Sequence, residues 1–197
     1  MITIKKANIS DAKYFSELIL VSAPYFPLLF GQKVKTILEY MFFSPGNLFS
    51  YKHVYFGTID TKKAGMILSY SYQTKKKENL RTGLLLLRYV GVNILTKLPI
   101  LMKFNATVGR LDKEEYYISN IATFPKFRGM GVGKKLMLVA EDDAKRNNTK
   151  RIILDVEKEN ITAITFYKKL GYQTAKEFSI PLGKEVLHFY RMIKKLG

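Results

Sequence analysis

The run Arg128-Gly129-Met130-Gly131-Val132-Gly133-Lys134-Lys135 alternates glycine with apolar side chains and is flanked by cations. It follows a strand-like stretch, Tyr117 to Pro125, and precedes a helix-like one, Lys134 to Arg146. A strand, a glycine-rich turn and a helix in that order suit a pyrophosphate. Glycine permits positive φ and lets the backbone approach a ligand, and the first helical turn presents N–H groups that have no intrahelical partner. The frame excludes two common phosphate loops. A nucleoside-triphosphate loop needs glycine where Arg128 stands and serine or threonine where Lys135 stands, and the dinucleotide fingerprint needs G-x-G-x-x-G rather than G-x-G-x-G.

Further along, Leu154-Asp155-Val156-Glu157 ends a second strand, and period two puts Asp155 and Glu157 on one face. Either carboxylate suits a general base, and a strand-end ion pair suits both equally well. Asn160 then opens a helix on which Ala163, Phe166, Tyr167 and Leu170 share one apolar face at i, i+3, i+4 and i+7. Tyr167 carries a hydroxyl on that face, which is either a core aromatic or a proton donor, since a phenol of ordinary pKa about 10 is protonated at neutral pH.

The pattern R-x-x-G-x-G after a strand ending in Pro125 resembles the acetyl-CoA pyrophosphate loop of the GCN5-related N-acetyltransferase (GNAT) family. Asn160-x-x-Ala163-x-x-Phe166-Tyr167-x-x-Leu170-Gly171-Tyr172 resembles that family's downstream N-x-x-A-x-x-x-Y-x-x-x-G-[FY] segment. The resemblance covers residues 116–172 strongly and the flanks by pattern. It implies acetyl-CoA as the acetyl donor and direct transfer to a primary amine. It implies that Arg128, Gly129, Met130, Gly131, Val132, Gly133 and Lys134 hold the pyrophosphate, with Asn160 a further cofactor contact or a helix cap. Ile121, Ala122 and Thr123 are implied to pair with the pantetheine arm where the strand splays from its neighbour. Tyr167 is implied as the acid that protonates the departing thiolate. Asp155 stands twelve residues before Tyr167, the spacing at which the chain resembles the N-terminal peptide (ribosomal-protein) acetyltransferases. The family's proposed base there is a glutamate. The aspartate is one methylene shorter and favours a bridging water, so Glu157 stays beside it as a candidate.

Composition narrows the class further. The 197 residues, 47% hydrophobic, suit one domain over 1–197 with a full core. Zero cysteines exclude disulfides, thiolate metal sites and a cysteine nucleophile, and two histidines leave no set for a histidine-built metal site. The first twenty residues read as no signal peptide, which makes the cytoplasm the expected location. A net charge of +17 exceeds what CoA phosphates require. It is either a solvated surface or an attraction for polyanions and anionic membranes. Two rival functions therefore stand beside acetyl transfer: a CoA-binding regulatory module without turnover, and a basic polyanion or membrane-surface binder.

The elements that must position these residues follow from periodicity. Ile2–Ile4 reads as a strand, Ser10-Asp11-Ala12 as the cap of a helix reaching Ser22, and Pro24 and Pro27 as its stop. A second helix spans Gln32 to Phe43, and a hairpin joins strands 53–59 and 64–72. Residues 80–104 carry an apolar stretch interrupted by Arg88, Asn93, Lys97 and Pro99. That argues against a transmembrane span and for two short helices separated near Gly91 or at Pro99. They form an insertion, about 74–110, before the fourth strand, suited to covering the sheet, a dimer contact, a substrate-side lid or a lipid surface. A closing hairpin turns at Pro181-Leu182-Gly183. The expected fold class is α/β (α+β), a mixed and largely antiparallel sheet with helices on both faces. The acceptor, a peptide N-terminus, a lysine or a small amine, is expected in the helix 1–2 region and residues 74–110, where no motif is legible, and the basic charge suits an acidic acceptor or one carried on a ribonucleoprotein.

Overall fold

In the computed structural model, residues 1–90, 98–182 and 185–197 are described. The first strand, β1 (Ile2–Lys6), leads into a 3-10 turn at Ile9–Asp11 whose start is closed by Asn8: its side chain accepts from the Ser10 N–H, and Asp11 reaches back to the Asn8 N–H at 3.1 Å. The cap thus lies two residues before the expected Ser10. Helix α1 (Ala12–Ser22) follows, and then a short α2 (Phe26–Phe30), which Pro27 begins rather than blocks because the first helical turn needs no N–H donor there. Helix α3 spans Val34–Phe43.

Strands β2 (Val54–Ile59) and β3 (Lys62–Ser71) form the expected hairpin, with Asp60 and Thr61 both at positive φ. Helix α4 (Tyr72–Val90) then departs directly from β3, its first turn aided by Ser71 Oγ, which accepts from the Thr74 N–H at 3.3 Å. It is one long helix where a short one was expected, because the polar residues before Leu80 form its half-buried first turns. Helix α5 (Leu98–Thr107) carries Pro99 near its start, not at a break. The expected break near Gly91 lies outside the described residues, as does Gly183 of the closing turn. The insertion covers the sheet: α4 contacts α3, β3 and β4, and α5 contacts β6.

The chain continues through β4 (Glu115–Thr123), α6 (Val132–Arg146), β5 (Arg151–Glu157), α7 (Ile161–Lys169), β6 (Gln173–Leu182) and β7 (Glu185–Lys195). The sheet order is β1-β2-β3-β4-β5-β7-β6, and β4 with β5 is the parallel pair. One face is buried under α1, α2 and α3, where Phe15, Leu18, Met41 and Phe42 meet Val54 and Phe56. The other is buried under α6 and α7. Leu136, Ala140 and Ala144 recur every four residues on α6 and are fully buried, so this helix owes its place to one apolar stripe. Gly171 at φ +88° ends α7. No helix among the described residues is long and apolar enough to cross a membrane.

Candidate active site

Parallel pairing between β4 and β5 runs from Glu115↔Arg151 to Ile118↔Leu154 and stops there. β4 nevertheless continues to Thr123 and β5 to Glu157. A register shift against β3 leaves Ser119 as the extra residue between Ile118 and Asn120, so the bulge falls where β4 turns away from its neighbour. The result is a wedge whose walls are residues 119–123 and Asp155–Glu157. A cavity of about 540 Å³ fills it. Every expected site residue lines that cavity except Met130, which is half exposed beside it.

The wedge opens onto the glycine loop. Gly129 (φ +77°) and Gly131 (φ +85°) hold left-handed conformations that other residues adopt only with strain. Gly131 starts α6 with no side-chain cap and no acid in the first turn, so the N–H groups of its opening residues face the cavity unpartnered by side chains. An anion fits there. Gly133 is different: its φ is helical, and a Cβ there would stand 3.3 Å from Phe166 Cζ. The loop is anchored from behind by Val132, which is buried against Gly57 so closely that a Cβ at Gly57 would meet its Cγ1 at 2.7 Å. Arg128 and Lys134 are exposed at the rim.

On the far wall, the Asn160 side chain accepts from the Ala163 N–H at 3.1 Å and caps α7. Tyr167 is buried between the rings of Phe166 and Tyr172 while lining the cavity, and desolvation pushes its phenol well above the ordinary value. It stays protonated at any physiological pH.

The two carboxylates differ sharply. Asp155 lies directly opposite Arg191 of β7, and the guanidinium grips it through Nε (2.8 Å to Oδ1) and Nη2 (2.9 Å to Oδ2). The Gly109 N–H at 2.7 Å and the Tyr117 hydroxyl at 3.2 Å donate to Oδ2 as well. Its side chain is 1% exposed. Glu157 is only half-buried, and burial, with Glu159 nearby, raises its pKa above the ordinary glutamate value. Tyr25, whose ring meets Phe189 edge-on, stands close enough to both carboxylates for their charges to raise its own pKa, after desolvation.

Sequence reasoning missed Arg191, Tyr117, Tyr25 and the bulge at Ser119. Arg191 was legible only once the β5–β7 register was known. No motif marks the others.

A wedge between two parallel strands, closed at one end by an uncapped helix start and holding a buried tyrosine, is the cavity in which the fold gathers these residues. The chain belongs to the acetyltransferase (GNAT) family, whose model matches residues 53–172. Among curated relatives, it is 37% identical over 60 residues to the uncharacterized N-acetyltransferase YobR of Bacillus subtilis, across 30% of this chain and 24% of that protein. It is 34% identical over 56 residues to N-alpha-acetyltransferase 30 of Schizosaccharomyces pombe, across 28% of this chain and 37% of the relative. The matches therefore span between a quarter and just over a third of those relatives. An N-acetyltransferase from Staphylococcus aureus shares the fold at TM-score 0.70 and 21% identity, over 98% of this chain and 100% of its own. The Salmonella typhimurium protein yncA, solved with its cofactor acetyl-CoA, shares it at TM-score 0.61 and 12% identity, over 100% and 94%.

Proposed function

We propose that the protein is an N-acetyltransferase that moves an acetyl group from acetyl-CoA directly to a primary amine. The observation that carries this reading is the coincidence, in one cavity, of the strand wedge, the uncapped start of α6 and Tyr167. Bound acetyl-CoA supplies an activated acyl thioester. Gly129 to Lys134 hold its pyrophosphate, and the free backbone edge at Ile121 to Thr123 takes the pantetheine arm as an added strand. A backbone N–H of that edge receives the charge developing on the carbonyl oxygen, a contribution of roughly 2.7–4 kcal/mol where such donors are well placed.

The two carboxylates exchange the roles expected of them. Asp155, engaged by Arg191, Gly109 and Tyr117, positions the cleft wall, and Glu157 accepts the amine's proton, directly or through water. Its raised pKa suits a base, because a desolvated carboxylate holds a proton more tightly. The C–N bond then forms, the C–S bond breaks, and the Tyr167 hydroxyl gives its proton to the departing sulfur. Asn160 caps α7 and holds the cofactor-facing end of that helix in place.

A turnover screen tests this: acetyl-CoA with primary amines of several classes, reading free thiol. Release of CoA that requires an amine supports the reading. Tight acetyl-CoA binding with no turnover on any amine makes the protein a regulatory CoA-binding module, and steeply salt-dependent binding to polyanions without CoA binding makes it a basic surface binder.

A further inference from the structure

A second cavity, of about 520 Å³, lies between α2, α4, α5 and the outer end of β4. It is continuous with the donor cleft: Tyr25, Val108, Tyr117, Ser119 and Asn120 line both. An occupant therefore reaches the acetyl group without leaving the protein surface.

Its chemistry is narrow. The walls are aromatic and leucine-rich, and Lys75 is the one charged residue among the described residues that line it. That ammonium is already committed, donating to the Gly109 carbonyl at 2.7 Å, and desolvation, with Arg191 nearby, lowers its pKa. Among the described residues that line it, the cavity offers no carboxylate to a cation. At the rim, Leu84 (58% exposed) and Met102 (64% exposed) hold apolar surface in water, an arrangement that a ligand relieves.

Gly83 points to the same use. It sits inside a nineteen-residue helix, where glycine is a poor choice, yet its φ is ordinary and no atom lies within 4 Å of a Cβ built on it. Neither a turn nor a close approach explains it. Gly83 lines the cavity, and the space in front of its backbone is open.

We infer that this cavity is the acceptor subsite, and that the acceptor is a primary amine on a bulky apolar body, aliphatic or aromatic, without a second positive charge. The inference rests on the acetyltransferase reading. It replaces the acidic or ribonucleoprotein-borne acceptor that the basic net charge suggests, because the charge lies elsewhere than in this cavity.

The test measures kcat/KM with acetyl-CoA for n-alkylamines from propyl to decyl, with spermidine as the polycationic comparison. Peptides opening with leucine or with serine form a second arm. In the wild type, kcat/KM is expected to rise about fourfold per methylene until the cavity is full, and spermidine to be poor. In Gly83→Phe the KM for decylamine should rise at least tenfold while the acetyl-CoA Kd stays within twofold. Gly83→Ala serves as the folding control, and Leu84→Gln at the rim gives a second variant with the same direction. A leucine-over-serine preference among peptides larger than the gain among free amines assigns the apolar body to a polypeptide, and the reverse assigns it to a small molecule. Turnover that is flat in chain length and equal for both peptides overturns the inference while leaving acetyl transfer standing. If no amine turns over, titration calorimetry of decylamine onto the protein with bound CoA decides separately. Heat lost in Gly83→Phe supports the cavity's ligand class while the catalytic reading falls, and heat that is equal in both proteins, or absent in both, overturns the inference.

Discussion

Arg191 and Asp155 face each other across the β5–β7 ladder and form a two-point ion pair, with the aspartate side chain 1% and the arginine 16% exposed. The same guanidinium donates to the carbonyls of Arg110 and Thr107 at 3.0 and 3.2 Å. One arginine thus ties the closing strand β7 to β5 and to the exit of the helical insertion. Since Val108 lines both cavities, this clamp fixes their shared wall.

Breaking that pair should cost stability before it costs chemistry. Removing one partner of a buried pair leaves an uncompensated charge, typically about 3–5 kcal/mol. Arg191→Met should lower Tm by about ten degrees or more, measured by thermal unfolding. Asp155→Asn should also lower Tm, and its folded fraction should keep substantial turnover at permissive temperature. Near-complete loss of kcat in a variant with unchanged Tm would return the base to Asp155.

Glu157→Gln should behave in the opposite way, with Tm shifted by about two degrees or less and kcat/KM reduced by about 10²-fold or more. The pH profile supplies the sign. Burial raises the Glu157 pKa, and a base works only when deprotonated, so kcat/KM falls as pH drops through that raised pKa. The acid limb is therefore expected above the ordinary glutamate value of about 4.3. In Glu157→Gln that limb should vanish, and the rate should recover at high pH, where the amine loses its proton to solvent. An unchanged limb in the variant would assign it to another group.

Tyr167→Phe should lower kcat by about 10²–10⁴-fold with little change in the KM for acetyl-CoA. Because desolvation raises its pKa, the wild type should show no falling limb from this phenol below about pH 10. Steady-state kinetics across pH check both points. Wild-type turnover in the phenylalanine variant would leave Tyr167 as a packing residue between Phe166 and Tyr172.

The loop glycines should separate by mechanism. Gly131→Val places a β-branched residue at φ +85°, a strain of about 1–2 kcal/mol, and crowds the phosphate site. Acetyl-CoA affinity should fall at least tenfold by titration calorimetry. Gly133→Ala keeps a helical φ and is tight only against Phe166 Cζ at 3.3 Å, with Thr123 Oγ1 in ordinary contact at 3.9 Å, so a smaller loss is expected. Equal and negligible effects would place the pyrophosphate elsewhere.

The sequence by itself determined the local features that line the first cavity. The glycine loop, Asn160, Tyr167 and the strands before them are local features, carried by φ preferences, caps and periodicities that act over a few residues. The hairpin of β2 and β3 and the strand–loop–helix run from β4 to α7 were legible for the same reason, whereas α2 was not, because Pro27 reads as a stop until it is seen to begin a helix. The tertiary structure alone decided which carboxylate is clamped. Asp155 and Glu157 share a strand face and the same alternation, and their difference arises from Arg191, thirty-six residues away in sequence but directly opposite in register. It likewise decided the acceptor side. Polar first turns hide the length of α4, and Gly83 reads as a weak helix position until the space in front of it is seen. Long-range pairing and the shape of a cavity depend on what the fold brings together, and no window of the chain contains that information.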